Sequence, residues 1–300
     1  MSRSAKAHIM LVLVTLVWGA TFVVIKEALH DVSPLLFNAV RMTVAALALI
    51  LFFWKKLKSI PRGALRAGII VGVFLWLGYG FQTTGLELTT ASKSGFLTGF
   101  SVLLVPVFLA FGWKHAINRW TMLGVAIALF GLFLMTVPGG ESGWNLDSIN
   151  RGDILTIGCA ITFAFQIIFM GRAMQRYRFE QVATVQATSA ALLMLVTVPL
   201  AEHAHIAMTS RVVWAVLVTG LLGTSAAFAI QAWAQQFTPP THTALIFLME
   251  PVFAWLTSYI VLGERLGMRA GCGAALILGG ILLSELKGAG AAPSRDALPG

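Results

Sequence analysis

Apolar residues run through this chain in blocks of about twenty, and polar residues collect between them. A helix rises 1.5 Å per residue, so roughly 20 apolar residues cross the hydrocarbon of a bilayer. Ten stretches reach that length: 8–28, 34–54, 65–86, 92–113, 119–137, 153–171, 181–200, 212–234, 241–262 and 268–286. The pattern predicts an all-α polytopic membrane protein with ten transmembrane helices. Connections are short except for residues 139–152, a Gly-, Ser- and Asn-rich loop after Pro138, and a small, polar tail over 287–300 is expected to be disordered.

The blocks repeat. Shifting the chain by 145 residues brings Trp18 onto Phe163, Thr43 onto Thr188, Gly78 onto Gly223, and Pro106-Val107-Phe108 onto Pro251-Val252-Phe253. That divides the chain into a first five-helix repeat over 1–138 and a second over 153–286. An odd number of spans per repeat turns the second upside down. Two inverted five-helix repeats around a central cavity imply alternating access, with the solute site near the midplane.

Composition fits this reading. The chain is 58% hydrophobic and 11% charged, against about 25% charged in soluble domains. Net charge is +9, which in a soluble protein would raise nucleic acid as a partner. In a membrane protein, basic residues mark cytoplasmic loops instead. With the N-terminus in the cytoplasm, Lys and Arg divide 14 to 6, with Arg41 inside a span. Both termini are therefore expected in the cytoplasm. Cys159 and Cys272 lie in apolar segments without disulfide or metal spacing. The six histidines show no ligand spacing, and no phosphate loop is present to use ATP. No cofactor is expected; the partners are a small-molecule substrate and the lipid bilayer, and the chain is a monomer or homodimer.

Several motifs then stand in a fixed order. They are Trp18-Gly19 in span one, Arg41 followed by small residues in span two, and Thr90-Ala91-Ser92 opening span four. Glu250-Pro251-Val252-Phe253-Ala254 lies in span nine, with Leu262-Gly263-Glu264 at its end. In this order they resemble the EamA family of the drug/metabolite transporter superfamily, from about Ala7 to Leu286. The resemblance implies ten helices around a central cavity. It also implies export of amino acids, related metabolites or drugs across the bacterial inner membrane.

Polar residues inside spans supply the candidate site. Glu250 sits near mid-span, where a carboxylate is costly and marks proton coupling or a substrate amine. The competing reading is structural: an acid capping backbone freed at Pro251. Arg41, one turn from Asn38, matches a carboxylate held in two hydrogen bonds; the alternative is a side chain that snorkels to one face or pairs with a structural acid or carbonyl. Gln186 is its counterpart in the second repeat. Gln82, Gln166 and Gln231 need partners within the membrane, and either solute or neighbouring helices can supply them. Trp18 and Tyr79 are candidates to line the cavity. Pro106 and Pro251 remove a backbone donor at matching places and are expected to break their helices. Lys93 and Glu87 form a candidate external ion pair. The expected function is secondary active export by alternating access, with Arg41 and Glu250 supplying charge recognition or proton coupling. Two alternatives stand beside it: an uncoupled facilitator or exchanger, and a lipid-handling or accessory subunit. Lipid handling predicts a lateral opening with basic residues near one interface.

Overall fold

A computed structural model describes residues 2–89, 94, 97–113, 117–136, 150–262 and 267–288. Thr90-Ala91-Ser92, Lys93, most of the 139–152 loop, Glu264 and the tail beyond 288 lie outside the described residues. The rest is helical, apart from turns and an isolated antiparallel bridge between Val32 and Ile206.

Helices α1 (Arg3–Ala28), α2 (Pro34–Phe53) and α3 (Arg62–Leu88) are followed by α4 (Ser101–Trp113) and α5 (Arg119–Thr136). Then come α6 (Arg151–Met174), α7 (Phe179–Ala201) and α8 (Ser210–Ala234). Helices α9 (Pro240–Phe247), α10 (Met249–Leu262) and α11 (Met268–Gly288) complete the order. Among the described residues, six helices are long and apolar enough to cross a membrane: α1, α2 with its extension to Lys56, α3, α6, α7 and α8. Leu97–Gly112, Arg119–Leu134 and Met268–Ser284 are apolar but shorter.

Local chemistry fixes the helix ends. Ser2 Oγ accepts from Ala5 N at the start of α1. Asn150 and Asp153 form a reciprocal capping box on α6. The first amides of α2 are satisfied from elsewhere in the chain: Glu202 accepts from Leu35 N at 3.1 Å, Leu36 N at 2.7 Å and Ser33 Oγ at 2.9 Å. Its carboxylate sits where the N-terminal dipole of α2 favours negative charge.

The outer surface is built for lipid. Phe52, Phe111 and Leu200 are 80%, 86% and 82% exposed, an arrangement a water-facing protein would bury. Inside, α3 packs against α6 and α7, α2 against α7 and α8, α1 against α8 and α10, and α5 against α11. Small residues set the closest approaches. A Cβ on Gly124 would lie 2.5 Å from Gly280 O, and one on Gly72 would lie 2.8 Å from Gln186 O.

The two prolines behave differently from expectation. Helix α4 runs through Pro106 without ending; the interruption in that region is a turn at Phe100, six residues earlier. Span 241–262 does divide, but at Leu248 rather than at Pro251. Proline lacks the N–H for the carbonyl four residues back, and its ring crowds that carbonyl. For Pro251 that residue is Phe247, the last of α9. Within α8, Thr219–Ala226 winds as a π-helix, which the apolar pattern does not signal.

Candidate functional site

Seven helices, α1, α2, α3, α6, α8, α9 and α10, bring the site together. On α2, Asn38 is fully buried and donates from Nδ2 to Tyr79 O and Thr83 Oγ1, both at 3.0 Å. Thr83 Oγ1 donates back to Asn38 Oδ1 at 3.2 Å. Asn38 is thus spent on α3, where it fixes Tyr79 in place. One turn along α2, the Arg41 guanidinium carbon lies 3.9 Å above the centre of the Tyr79 ring. It lies 5.6 Å from the Phe37 ring. This is cation–π geometry, stronger when the cation is desolvated.

Arg41 is only 3% exposed, and its Nε has no hydrogen-bond partner. Among the described residues no carboxylate pairs with it. It is therefore not snorkelling to a surface. A guanidinium carries five donors, and of these the Nε donor is buried without a partner.

Aromatic rings continue from Tyr79 across the bundle. Phe163 of α6 and Phe228 of α8 meet it edge-on at 5.5 Å and 6.1 Å. Phe228 reaches Trp18 of α1 at 5.5 Å, and Trp18 reaches Phe247 at the end of α9 at 4.9 Å. Trp18 Nε1 donates to Gly223 O at 2.7 Å. The line of rings ends beside the break that places Glu250.

Glu250 opens α10 and is half-buried. Gly19 of α1 lies against its backbone; a Cβ there would be 2.7 Å from Glu250 O. Among the described residues the Glu250 carboxylate has neither a hydrogen bond nor an ion pair. It does not cap the backbone freed at Pro251, which was the structural alternative. Tyr79 thus contacts a buried cation, and the rings of Phe228, Trp18 and Phe247 run from it to the helix end that precedes Glu250.

The glutamines form a separate cluster. Gln166 Nε2 donates to Gln186 Oε1 at 3.0 Å, and Gln231 Nε2 donates to Gln166 Oε1 at 3.1 Å. Gln235 accepts from Gln231 and donates to Ile167 O at 2.9 Å. The cluster ties α6, α7 and α8 by interhelical hydrogen bonds. It lies one helical turn beyond Phe163 and Phe228, and Gln186 Nε2 remains buried without a partner. Gln82 joins neither group; it is half-buried with no hydrogen bond among the described residues. Glu87 is exposed, and its expected partner Lys93 lies outside the described residues. No group of three or more metal-ligating side chains occurs among the described residues.

Sequence reasoning did not reach Thr83, Phe228, Phe247 or Gln235. Only Gln235 carried a signal, four residues after Gln231 on the same helical face.

The EamA-like transporter family matches residues 5–137 and, separately, residues 150–286. The chain is 32% identical over 283 residues to an uncharacterized transporter of Archaeoglobus fulgidus, across 94% of this chain and 86% of that protein. It is 28% identical to the uncharacterized transporter YoaV of Bacillus subtilis, across 93% of this chain and 96% of that protein. It is 25% identical to a probable amino-acid metabolite efflux pump of Salmonella typhimurium, across 94% of this chain and 95% of that protein. One solved crystal structure superposes with a TM-score of 0.78 at 18% identity, covering 95% of this chain and 98% of that one. At that identity the likeness concerns the fold.

Proposed function

The chain belongs to the EamA-like transporter family, as a membrane transporter and not an enzyme, and we propose that it exports small organic solutes bearing a carboxylate. Amino acids and related metabolites are the class intended. The observation that carries this is Arg41: a buried guanidinium stacked on Tyr79, with no carboxylate partner among the described residues. A solute carboxylate supplies the missing charge through two parallel hydrogen bonds. Glu250, without a hydrogen-bond or ion-pair partner among the described residues, receives the solute amine or the coupling proton. The Phe163, Phe228 and Trp18 rings provide apolar walls.

The transport cycle is alternating access between two inverted repeats of five spans each, over 1–138 and 153–286. Three observations support this. The family matches the chain twice. The packing of α3 on α6 has its counterpart in α8 on α1, and α3 on α7 in α8 on α2. The close approaches at the α2 and α7 backbones also correspond: Gly72 lies against Gln186 O and Ser189, and Gly220 against Arg41 O and Val44. Loop charge supports a topology with both termini in the cytoplasm, and the bacterial relatives support a reading in the inner membrane.

The test is solute counterflow in proteoliposomes, with a panel of amino acids, organic acids and simple amines. Saturable exchange of carboxylate-bearing solutes is expected. Exchange confined to amines, or none at all from folded protein, overturns the proposal.

A further inference from the structure

Away from the Arg41 site, a cleft of about 510 Å³ opens at the end of the bundle that carries the N-terminus. Its walls come from four helices: Lys6 and Ile9 of α1, Phe53 of α2, Phe179 of α7, and Ile230 and Trp233 of α8. The volume falls within the range of about 300–1,000 Å³ typical of small-molecule sites. Apart from Lys6, every described lining residue is apolar. The rim is open to the side, with Ile9 48% and Phe52 80% exposed.

We propose that this cleft is a binding site for one anionic phospholipid, with an acyl chain against the apolar walls and the phosphate at Lys6. The apolar lining disfavours a hydrated solute, and the exposed Ile9 and Phe52 at the rim are side chains suited to lipid rather than water. The headgroup is assigned by charge. Lys6 has no acidic partner among the described residues. Lys55 and Lys58 lie over the Trp54 ring at 5.6 Å and 5.8 Å, directly beyond Phe53. Arg3 precedes Lys6 by one turn. Glu180, next to Phe179, is already paired with Arg178 at 3.1 Å. A lysine stem can lie along an apolar wall while its ammonium reaches the headgroups, where basic residues attract anionic lipid. Because α1 and α2 face α7 and α8 across the cleft, the lipid bridges the two parts of the chain that the family matches separately. It is a resident ligand and not the transported solute, so the inference stands apart from the transport reading.

Native mass spectrometry of the purified full chain tests it, with dioleoyl phosphatidylglycerol titrated against dioleoyl phosphatidylcholine. One bound phosphatidylglycerol per chain is expected, held about fivefold more tightly than phosphatidylcholine. Lys6→Gln should abolish the preference while leaving some retention of both lipids. Ile230→Trp, which fills the cleft, should remove retention of both; Ile9→Trp, from the facing wall, serves if that variant does not elute as a single species. Equal retention of the two lipids by the wild type overturns the assignment. So does a phosphatidylglycerol preference that survives Lys6→Gln.

Discussion

The indole Nε1 of Trp18 donates to the carbonyl oxygen of Gly223 at 2.7 Å, and the pair that corresponds to it 145 residues away is also in contact. Under that shift Trp18 becomes Phe163 and Gly223 becomes Gly78. A Cβ on Gly78 would meet the Phe163 ring at 2.5 Å. One pair joins α1 to α8 and the other joins α6 to α3. In both, a large aromatic residue lies against a glycine of the facing helix. The indole bond adds a polar contact that phenylalanine cannot make, because the carbonyl accepts and only indole donates.

Trp18→Phe keeps the ring contacts with Phe228 and Phe247 and loses that bond. The expected cost is about 0.5–1 kcal/mol, the range for a single interhelical hydrogen bond in a membrane protein. Thermal unfolding in detergent should show a drop of a few degrees. An unchanged midpoint would mean that the bond contributes nothing to stability.

Gly19 sets the distance between α1 and α10 at Glu250. A Cβ there would lie 2.7 Å from both Ala254 N and Glu250 O, and backbone cannot swing aside as a side chain can. Gly19→Ala should destabilise by about 1–3 kcal/mol. Gly112, with nothing within 4 Å of an added Cβ, is the control; Gly112→Ala should leave the midpoint unchanged. Equal effects at the two sites would contradict the close approach.

Glu202 holds the first turn of α2 through two backbone amides and Ser33. Glu202→Ala should cost about 1–2 kcal/mol, as for loss of a helix cap. Hydrogen exchange at Leu35 and Leu36 should speed up before the rest of α2 is affected. Glu202→Gln, which retains an acceptor oxygen, should lose less. Protection at these amides that is indifferent to both substitutions would mean that the cap is not needed.

Glu250 has neither a hydrogen-bond nor an ion-pair partner among the described residues. An acid within a span in that state is expected to serve transport. Solute exchange by the wild type should respond to an imposed pH gradient, and Glu250→Gln should exchange solute without that response. A gradient response that is the same in both would assign coupling elsewhere.

Much of the fold was legible because lipid demands long apolar runs. Span 34–54 became α2, 153–171 became α6 and 181–200 became α7, each within a few residues. The break in span nine was legible in kind, since Pro251 announces it, and misplaced by three residues, since the damage falls on the carbonyl of Phe247. The interior was harder to read. Lipid is as apolar as the core, so burial leaves little periodic signal to tell Phe228, which lines the site, from Phe52, which faces out. Intramembrane polar residues stood out by their cost, and Asn38 and Arg41 were found that way. Their division of labour was not legible. That Asn38 binds α3 while Arg41 stays unpaired depends on which residues α3 presents to α2.

The carboxylate assignment at Arg41 is tested most directly by measuring counterflow of an amino acid and of its decarboxylated amine through wild type, Arg41→Lys and Arg41→Gln. Wild type should exchange the acid and not the amine. Arg41→Lys, a point charge without the planar fork, should exchange it weakly, and Arg41→Gln should lose at least about tenfold, the equivalent of 1.4 kcal/mol. Exchange of the acid undiminished in Arg41→Gln would contradict the account.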